Sequence, residues 1–240
     1  MKKVLIVSAH PEPQSFNAEM ARHAERVLTA AGHVVRRSDL YAMEFNPVGS
    51  AADFGERGNP DYLNYAIEQR YNQASGSLAP DISAEIEKLQ WADLLVLNFP
   101  LWWCSVPAIL KGWIDRVLVS GLCYGGMRFY DRGGMVGKQA MLALSLGGRE
   151  HMFAADGIHG EIAPLLSPIQ RCTLAYVGYE VLPPFIAWHV PYITRNARQN
   201  LLAEYTAHLE GVDALTPLTF SRMADFDENL RPRTRIPVED

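Results

Sequence analysis

The chain has 240 residues, 48% hydrophobic and 20% charged, a balance ordinary for a globular protein with one large core. A formal net charge of −5, with no local Lys/Arg run, leaves no electrostatic footprint for nucleic acid or an anionic membrane surface. Three widely spaced cysteines, Cys104, Cys123 and Cys172, form no CxxC and argue against zinc, a redox motif or a disulfide framework. Too few apolar residues follow Met1-Lys2-Lys3 for a signal peptide, and no later run approaches a membrane span. A cytoplasmic protein without stable membrane insertion is expected.

In chain order, a first strand is expected over Lys3–Ser8, followed by the loop Ser8-Ala9-His10-Pro11-Glu12-Pro13-Gln14-Ser15-Phe16-Asn17. A helix over Asn17–Ala31 closes at Gly32, read as its C′ glycine, before a second strand over His33–Ser38. Tyr41–Pro80 is long and polar; with Phe45, Tyr62, Tyr65 and Tyr71 it reads as a binding excursion. Asp81 can cap a helix over Ile82–Ala92, which leads to a third strand over Asp93–Phe99. Pro107 suits the first turn of a helix over Pro107–Val119, and a fourth strand follows over Lys138–Ser145. An irregular helical stretch around Gly160–Val177 leads to a fifth strand over Glu180–Trp188 and a Thr194-capped helix to Leu209. Several of these strands are apolar without alternation, as expected when both faces are covered, so the pattern predicts a doubly wound α/β domain. Residues 1–215 form that domain, and 216–240 form an irregular tail that either packs on a partner subunit or is disordered.

In an open α/β sheet, ligands bind beyond the carboxyl ends of the strands, at the switch point. The first such loop offers Ser15, Asn17 and free N–H groups at the positive end of a helix, a place for phosphate or simply a cap. Its two prolines stiffen a loop that must hold amides toward an anion, without a nucleotide-type glycine turn. Pro100-Leu101-Trp102-Trp103 can lie against a planar ring, or can be core packing. Gly147-Gly148, in Ser145-Leu146-Gly147-Gly148, permits close approach to a flat ring, or makes an ordinary turn. His159 in Gly157-Ile158-His159-Gly160 reads either as a proton donor or counter-charge near neutrality or as a structural histidine. Together these loops describe a site for a phosphate-bearing cofactor with a flat heteroaromatic head. A flavin suits this better than a tightly held NAD, because GxGxxG is absent. GxSxG, HExxH and spaced His/Cys clusters are absent too, so no metal is expected.

The most specific pieces are Ala9-His10 with Ser15-Phe16-Asn17, Ser38-Asp39-Leu40-Tyr41-Ala42-Met43, Val106-Pro107-Ala108-Ile109-Leu110-Lys111-Gly112-Trp113, and Gly157-Ile158-His159-Gly160. In order, they resemble the NAD(P)H:quinone oxidoreductases of the DT-diaphorase type over about Lys3 to Phe226. The resemblance implies a flavodoxin-like, five-stranded parallel sheet in the order 2-1-3-4-5 with helices on both faces. It also implies bound FAD, with FMN as the alternative, NAD(P)H as co-substrate, a quinone-like acceptor and a homodimer. By resemblance the FAD diphosphate lies near His10, Ser15, Phe16 and Asn17, and the isoalloxazine against Pro100, Leu101, Trp102 and Trp103. Ser145, Leu146, Gly147 and Gly148 match the loop over the pyrimidine side. Asn64 falls where the family has a glutamine near the adenine, and Arg198 matches an arginine near the cofactor. Tyr124 matches an acceptor-pocket tyrosine contributed across the dimer interface, Phe129 belongs to the same pocket, and His159 matches the catalytic histidine beside the flavin.

Departures accompany the matches. Phe153, at the cofactor and acceptor, replaces a tyrosine that works with the histidine; Gly126 replaces a second pocket tyrosine, and Trp102 a glutamine. The expected chemistry is ping-pong hydride transfer from NAD(P)H through the flavin to a quinone. Three alternatives stand beside it. One is an FMN-dependent azo, nitro or aldehyde reductase, one an ancillary flavoprotein of a potassium-efflux antiporter, and one a flavodoxin-type electron carrier.

Overall fold

The computed structural model describes residues 1–233. Its elements are β1 (Lys3–Ser8), α1 (Phe16–Ala30), β2 (Val34–Asp39), α2 (Tyr65–Ser75), α3 (Pro80–Trp91), β3 (Leu94–Pro100), α4 (Ala108–Val117), β4 (Gln139–Ser145), α5 (Ile162–Ile169), β5 (Glu180–Val181), β6 (Phe185–Ala187) and α6 (Arg195–Glu210). All pairings are parallel, in the order β2-β1-β3-β4-β5, with β6 also pairing with β4.

Every residue of β3 is buried, which is why it carries no alternation. The pleat nevertheless divides the core into two layers. Val4, Ile6, Leu94, Val96, Met141 and Ala143 pack with α1 and α6 residues such as Met20 and Tyr205. Leu5, Val7, Leu95, Leu97, Phe99 and Leu142 pack on the other face with Ile82, Leu110 and Trp113. Helices therefore cover both faces, and the sheet order is that of a flavodoxin-like fold. No described helix is long and apolar enough to cross a membrane.

Three local expectations are corrected. The fifth strand is split, because Pro183-Pro184 interrupts the ladder between β5 and β6. Asp81 does not cap α3: Ala79 is the cap residue, Pro80 opens the helix, and the Asp81 carboxylate accepts from Arg116 Nη1 at 2.6 Å. Pro107 is the cap residue of α4 rather than part of its first turn. Thr194 does cap α6, and Gly32 follows α1 with φ +85.

The segment 41–80 is ordered and carries α2, which its polar sequence conceals: the helix buries Glu68, Gln69 and Asn72 rather than an apolar stripe. Its anchor is Arg116, only 3% exposed, which donates to Asp53 at 2.8 Å and to the Asn46 carbonyl at 2.8 Å. The Tyr65 hydroxyl donates to the same Asp53 carboxylate. Burial alone raises the Asp53 pKa, but hydrogen bonds from Arg116, Tyr65 and Ser50 outweigh it and hold the carboxyl below its ordinary value. Segment 216–223 is also packed: Leu218 N–H donates to the Val181 carbonyl at 2.8 Å, and Met223 N–H to Asp131 at 2.7 Å.

Candidate functional site

The carboxyl ends of β1, β3 and β4 are tied by a buried amide network. Asn98, near the end of β3, donates from Nδ2 to the Asn17 carbonyl at 3.0 Å and to Asn17 Oδ1 at 2.9 Å. Asn17 Nδ2 in turn donates to Ser145 Oγ at 3.2 Å. The first turn of α1 is thereby fixed against the end of β4. Asn98 is a residue that sequence reasoning missed, for it sits inside an apolar run and belongs to no motif.

That fixed turn is suited to an anion. Ser15 is the N-cap, and its hydroxyl accepts from Ala18 N–H at 3.0 Å. The Phe16 and Asn17 amides at the head of this 15-residue helix have no backbone partner among the described residues. His10 Nδ1 accepts from Glu12 N–H at 3.0 Å, which in the neutral ring leaves the proton on Nε2, free to donate. Arg198 is held by the Val190 carbonyl, Nε at 3.4 Å and Nη2 at 3.3 Å, with donors to spare.

The second loop is strained. Trp102 and Ser105 exchange both backbone hydrogen bonds at 3.0 Å, while Trp103 and Cys104 have φ of +51° and +55°. This is the two-residue hairpin geometry that ordinarily takes Asn-Gly, and each side chain held there costs on the order of 1–3 kcal/mol. The turn leaves Trp103 99% exposed and sets Trp102 6.0 Å from the His10 ring.

A cavity of about 380 Å³ opens between these loops. His10, Ser15, Phe16 and Asn17 line one wall, Pro100, Leu101 and Trp102 another, and Ser145, Leu146, Gly147 and Arg198 the rest. The strand-end loop after β6, which sequence reasoning missed, adds Val190 and Pro191. Its contribution is a backbone carbonyl and a proline ring, and neither leaves a motif. That loop is clamped to the glycine pair: His189 N–H donates to the Gly148 carbonyl at 2.9 Å, and Val190 N–H to Leu146 at 3.0 Å. The residues fit a flat ring with an anionic tail: apolar walls, unpaired amides at a helix start, and neutral or cationic donors with no carboxylate lining the cavity among the described residues.

The remaining expected residues lie outside that cavity within one protomer. Trp103 projects into solvent. Gly148 lies under Phe153, whose ring edge would stand 2.5 Å from an added Cβ. Phe153 is 4.8 Å from the exposed His159 ring and 5.5 Å from Trp188. Asn64 is the N-cap of α2, accepting from Ile67 N–H at 3.4 Å. Tyr124 and Phe129 join an aromatic cluster on Tyr176, at 5.8 Å and 5.5 Å.

A family model described as flavodoxin-like fold matches residues 2–209. The chain is 39% identical over 232 residues to NAD(P)H dehydrogenase [quinone] 1 of Rattus norvegicus, spanning 96% of this chain and 85% of that one. It is 42% identical over 212 residues to ribosyldihydronicotinamide dehydrogenase [quinone] of Mus musculus, spanning 88% and 92%. A solved Klebsiella pneumoniae structure, provisionally assigned as a quinone reductase, superposes with TM-score 0.93 at 37% identity, covering 97% of this chain and 94% of that one.

Proposed function

The chain belongs to the flavodoxin-like NAD(P)H dehydrogenase [quinone] family, and we propose that it transfers two electrons as hydride from NAD(P)H, through bound FAD, to a quinone. The observation that carries this reading is the cavity at the carboxyl ends of β1, β3 and β4, apolar in its walls and anion-seeking at one end. When bound, the flavin supplies hydride acceptance and release, which no side chain of the protein can perform.

The chain's own residues then have assignable work. The Phe16 and Asn17 amides, His10 Nε2 and Arg198 hold the phosphates. Pro100, Leu101 and Trp102 flank the ring, with Trp103 at the rim. The Gly147 and Gly148 amides, without a backbone partner among the described residues, address its polar edge, and Gly147 lets the backbone come close. His159 supplies a positive or hydrogen-bonding group where negative charge accumulates. Phe153 offers it no hydroxyl, so that role falls to His159 alone. Asn64 belongs to the adenine end of the cofactor.

Assembly is part of the proposal. Tyr124 and Phe129 do not reach their own protomer's cavity, while Trp103, Ile158 and Tyr192 stand exposed. A two-fold dimer that brings Tyr124 and Phe129 to the opposite cavity accounts for both facts. Residues 1–215 are the flavin-binding unit and 216–240 its tail, of which 234–240 lie outside the described residues, and a cytoplasmic location completes the reading. Gentle release of the cofactor followed by mass measurement should give FAD, and light scattering should give a dimer. FMN at full occupancy would overturn the FAD assignment. A colourless protein without NAD(P)H-dependent quinone turnover would overturn the function.

A further inference from the structure

Six of the chain's arginines, Arg22, Arg26, Arg36, Arg37, Arg57 and Arg116, each meet a carboxylate. Arg70 and Arg128 are among the arginines with no carboxylate partner among the described residues, and both meet one loop. Arg70, on α2, lies across Gly121 and Gly125: an added Cβ would stand 3.1 Å from its Cγ at the first and 3.0 Å from its Nη2 at the second. Both glycines have positive φ, +94° and +142°, so the loop is shaped to receive that side chain. Among the described residues its one side-chain hydrogen bond is to Ser120 Oγ at 3.4 Å. Arg128 donates to the Gly121 carbonyl at 3.2 Å and the Leu122 carbonyl at 3.3 Å, which orients its fork and leaves other N–H groups unused.

Arg70 and Arg128 line a cavity of about 370 Å³ together with Gln73, Tyr124 and Gly126. Among the described residues no carboxylate lines it. Gly126, with φ +60°, has nothing within 4 Å of where a side chain would start, so the cavity is open at that point. Both arginines are exposed, and their positive charges at one cavity favour an anion there. Planar forks of this kind bind phosphate and sulfonate oxygens in pairs.

We propose that Arg70 and Arg128 form a subsite for the anionic group of a substrate, a phosphate or sulfonate, next to Tyr124. The inference rests on the proposed function, which brings Tyr124 to an acceptor pocket. The cavity holds an anion and part of a ring, not a whole dinucleotide. The anion can come from either substrate: the phosphates of the nucleotide donor, or an acidic substituent on the quinone.

Steady-state kinetics of Arg70→Gln and Arg128→Gln, measured on the flavin-loaded protein, separate these sources. Pairing naphthoquinone sulfonate with the parent naphthoquinone tests the acceptor. Pairing NADPH and NADH with dihydronicotinamide riboside, which lacks phosphate, tests the donor. The KM of the anionic member should rise about tenfold in each variant, with the neutral member changed less than about twofold, as expected for one charge-assisted contact. Calorimetric titration of the protein with naphthalene sulfonate gives a readout independent of turnover. Binding should weaken about tenfold in each variant and weaken with added salt. Equal effects on charged and neutral substrates, or unchanged kinetics with unchanged sulfonate binding, would overturn the subsite. If no acceptor turns over, the functional reading fails and the titration alone decides the subsite: weakened binding upholds it, unchanged binding overturns it.

Discussion

The Phe153 ring lies 4.8 Å from the His159 imidazole, tilted by 39°, and rests on the face of Gly148. An apolar ring therefore abuts the histidine where a hydroxyl could have donated a hydrogen bond. His159→Ala should slow flavin reduction by NAD(P)H by about ten- to a thousand-fold in rapid mixing, the upper end being the loss of one oriented donor. Cofactor content should hardly change. Phe153→Tyr should leave the rate unchanged or modestly higher. An unaltered rate in His159→Ala, with cofactor bound, would assign the histidine a structural role.

Ser15 joins fold and site, because its hydroxyl caps the helix whose first residues line the cavity. Ser15→Ala should cost about 1 kcal/mol of stability by denaturant titration. It should also lower flavin affinity in equilibrium dialysis, since the first turn loses its fixed geometry. Full stability together with full affinity would remove both roles.

The Arg116–Asp53 pair should be visible in the pH dependence of stability. Asp53 has a depressed folded pKa, so its contribution is fully present above the unfolded value of about 3.9. It is lost as pH falls through the lower, folded value. Asp53→Asn should cost about 3 kcal/mol at neutral pH, the low end for breaking a buried pair, because Asp81 still faces Arg116. The gap between variant and parent should narrow below about pH 4. A gap independent of pH would mean that the pair's charge is not what stabilises this region.

Gly112 sits inside α4, where alanine would ordinarily gain about 1 kcal/mol of helix propensity. An added Cβ, however, would stand 2.2 Å from the Pro47 carbonyl oxygen and 2.3 Å from its Cα. Gly112→Ala should therefore destabilise by about 1–3 kcal/mol and loosen segment 41–80 toward proteolysis. An equally or more stable variant would show that this segment yields without cost.

Much of this fold was legible because buried parallel strands announce themselves. Leu94-Leu95-Val96-Leu97 needs no partner to be read as a core strand, and Thr194 and Gly32 mark helix ends by their own chemistry. α2 was not legible because its inward face is Glu68, Gln69 and Asn72, so no apolar period exists to detect. Pro183-Pro184 was present in the sequence as a strand breaker, yet only the ladder shows that the chain resumes pairing with β4 beyond it. His10, Ser15 and Gly147 line the candidate cavity where side-chain type and loop position had pointed, their roles there being the proposal's. Asn98 and the Val190 carbonyl could not be named, since their roles depend on which strand ends lie side by side.

The central claim is that one cavity handles both halves of a hydride relay, and anaerobic stopped-flow of the two half-reactions tests it most directly. NAD(P)H alone should bleach the yellow protein in a single turnover, and a quinone added afterwards should restore the colour without any nucleotide present. Bleaching that requires the quinone, or no bleaching by NAD(P)H at all, would contradict the account.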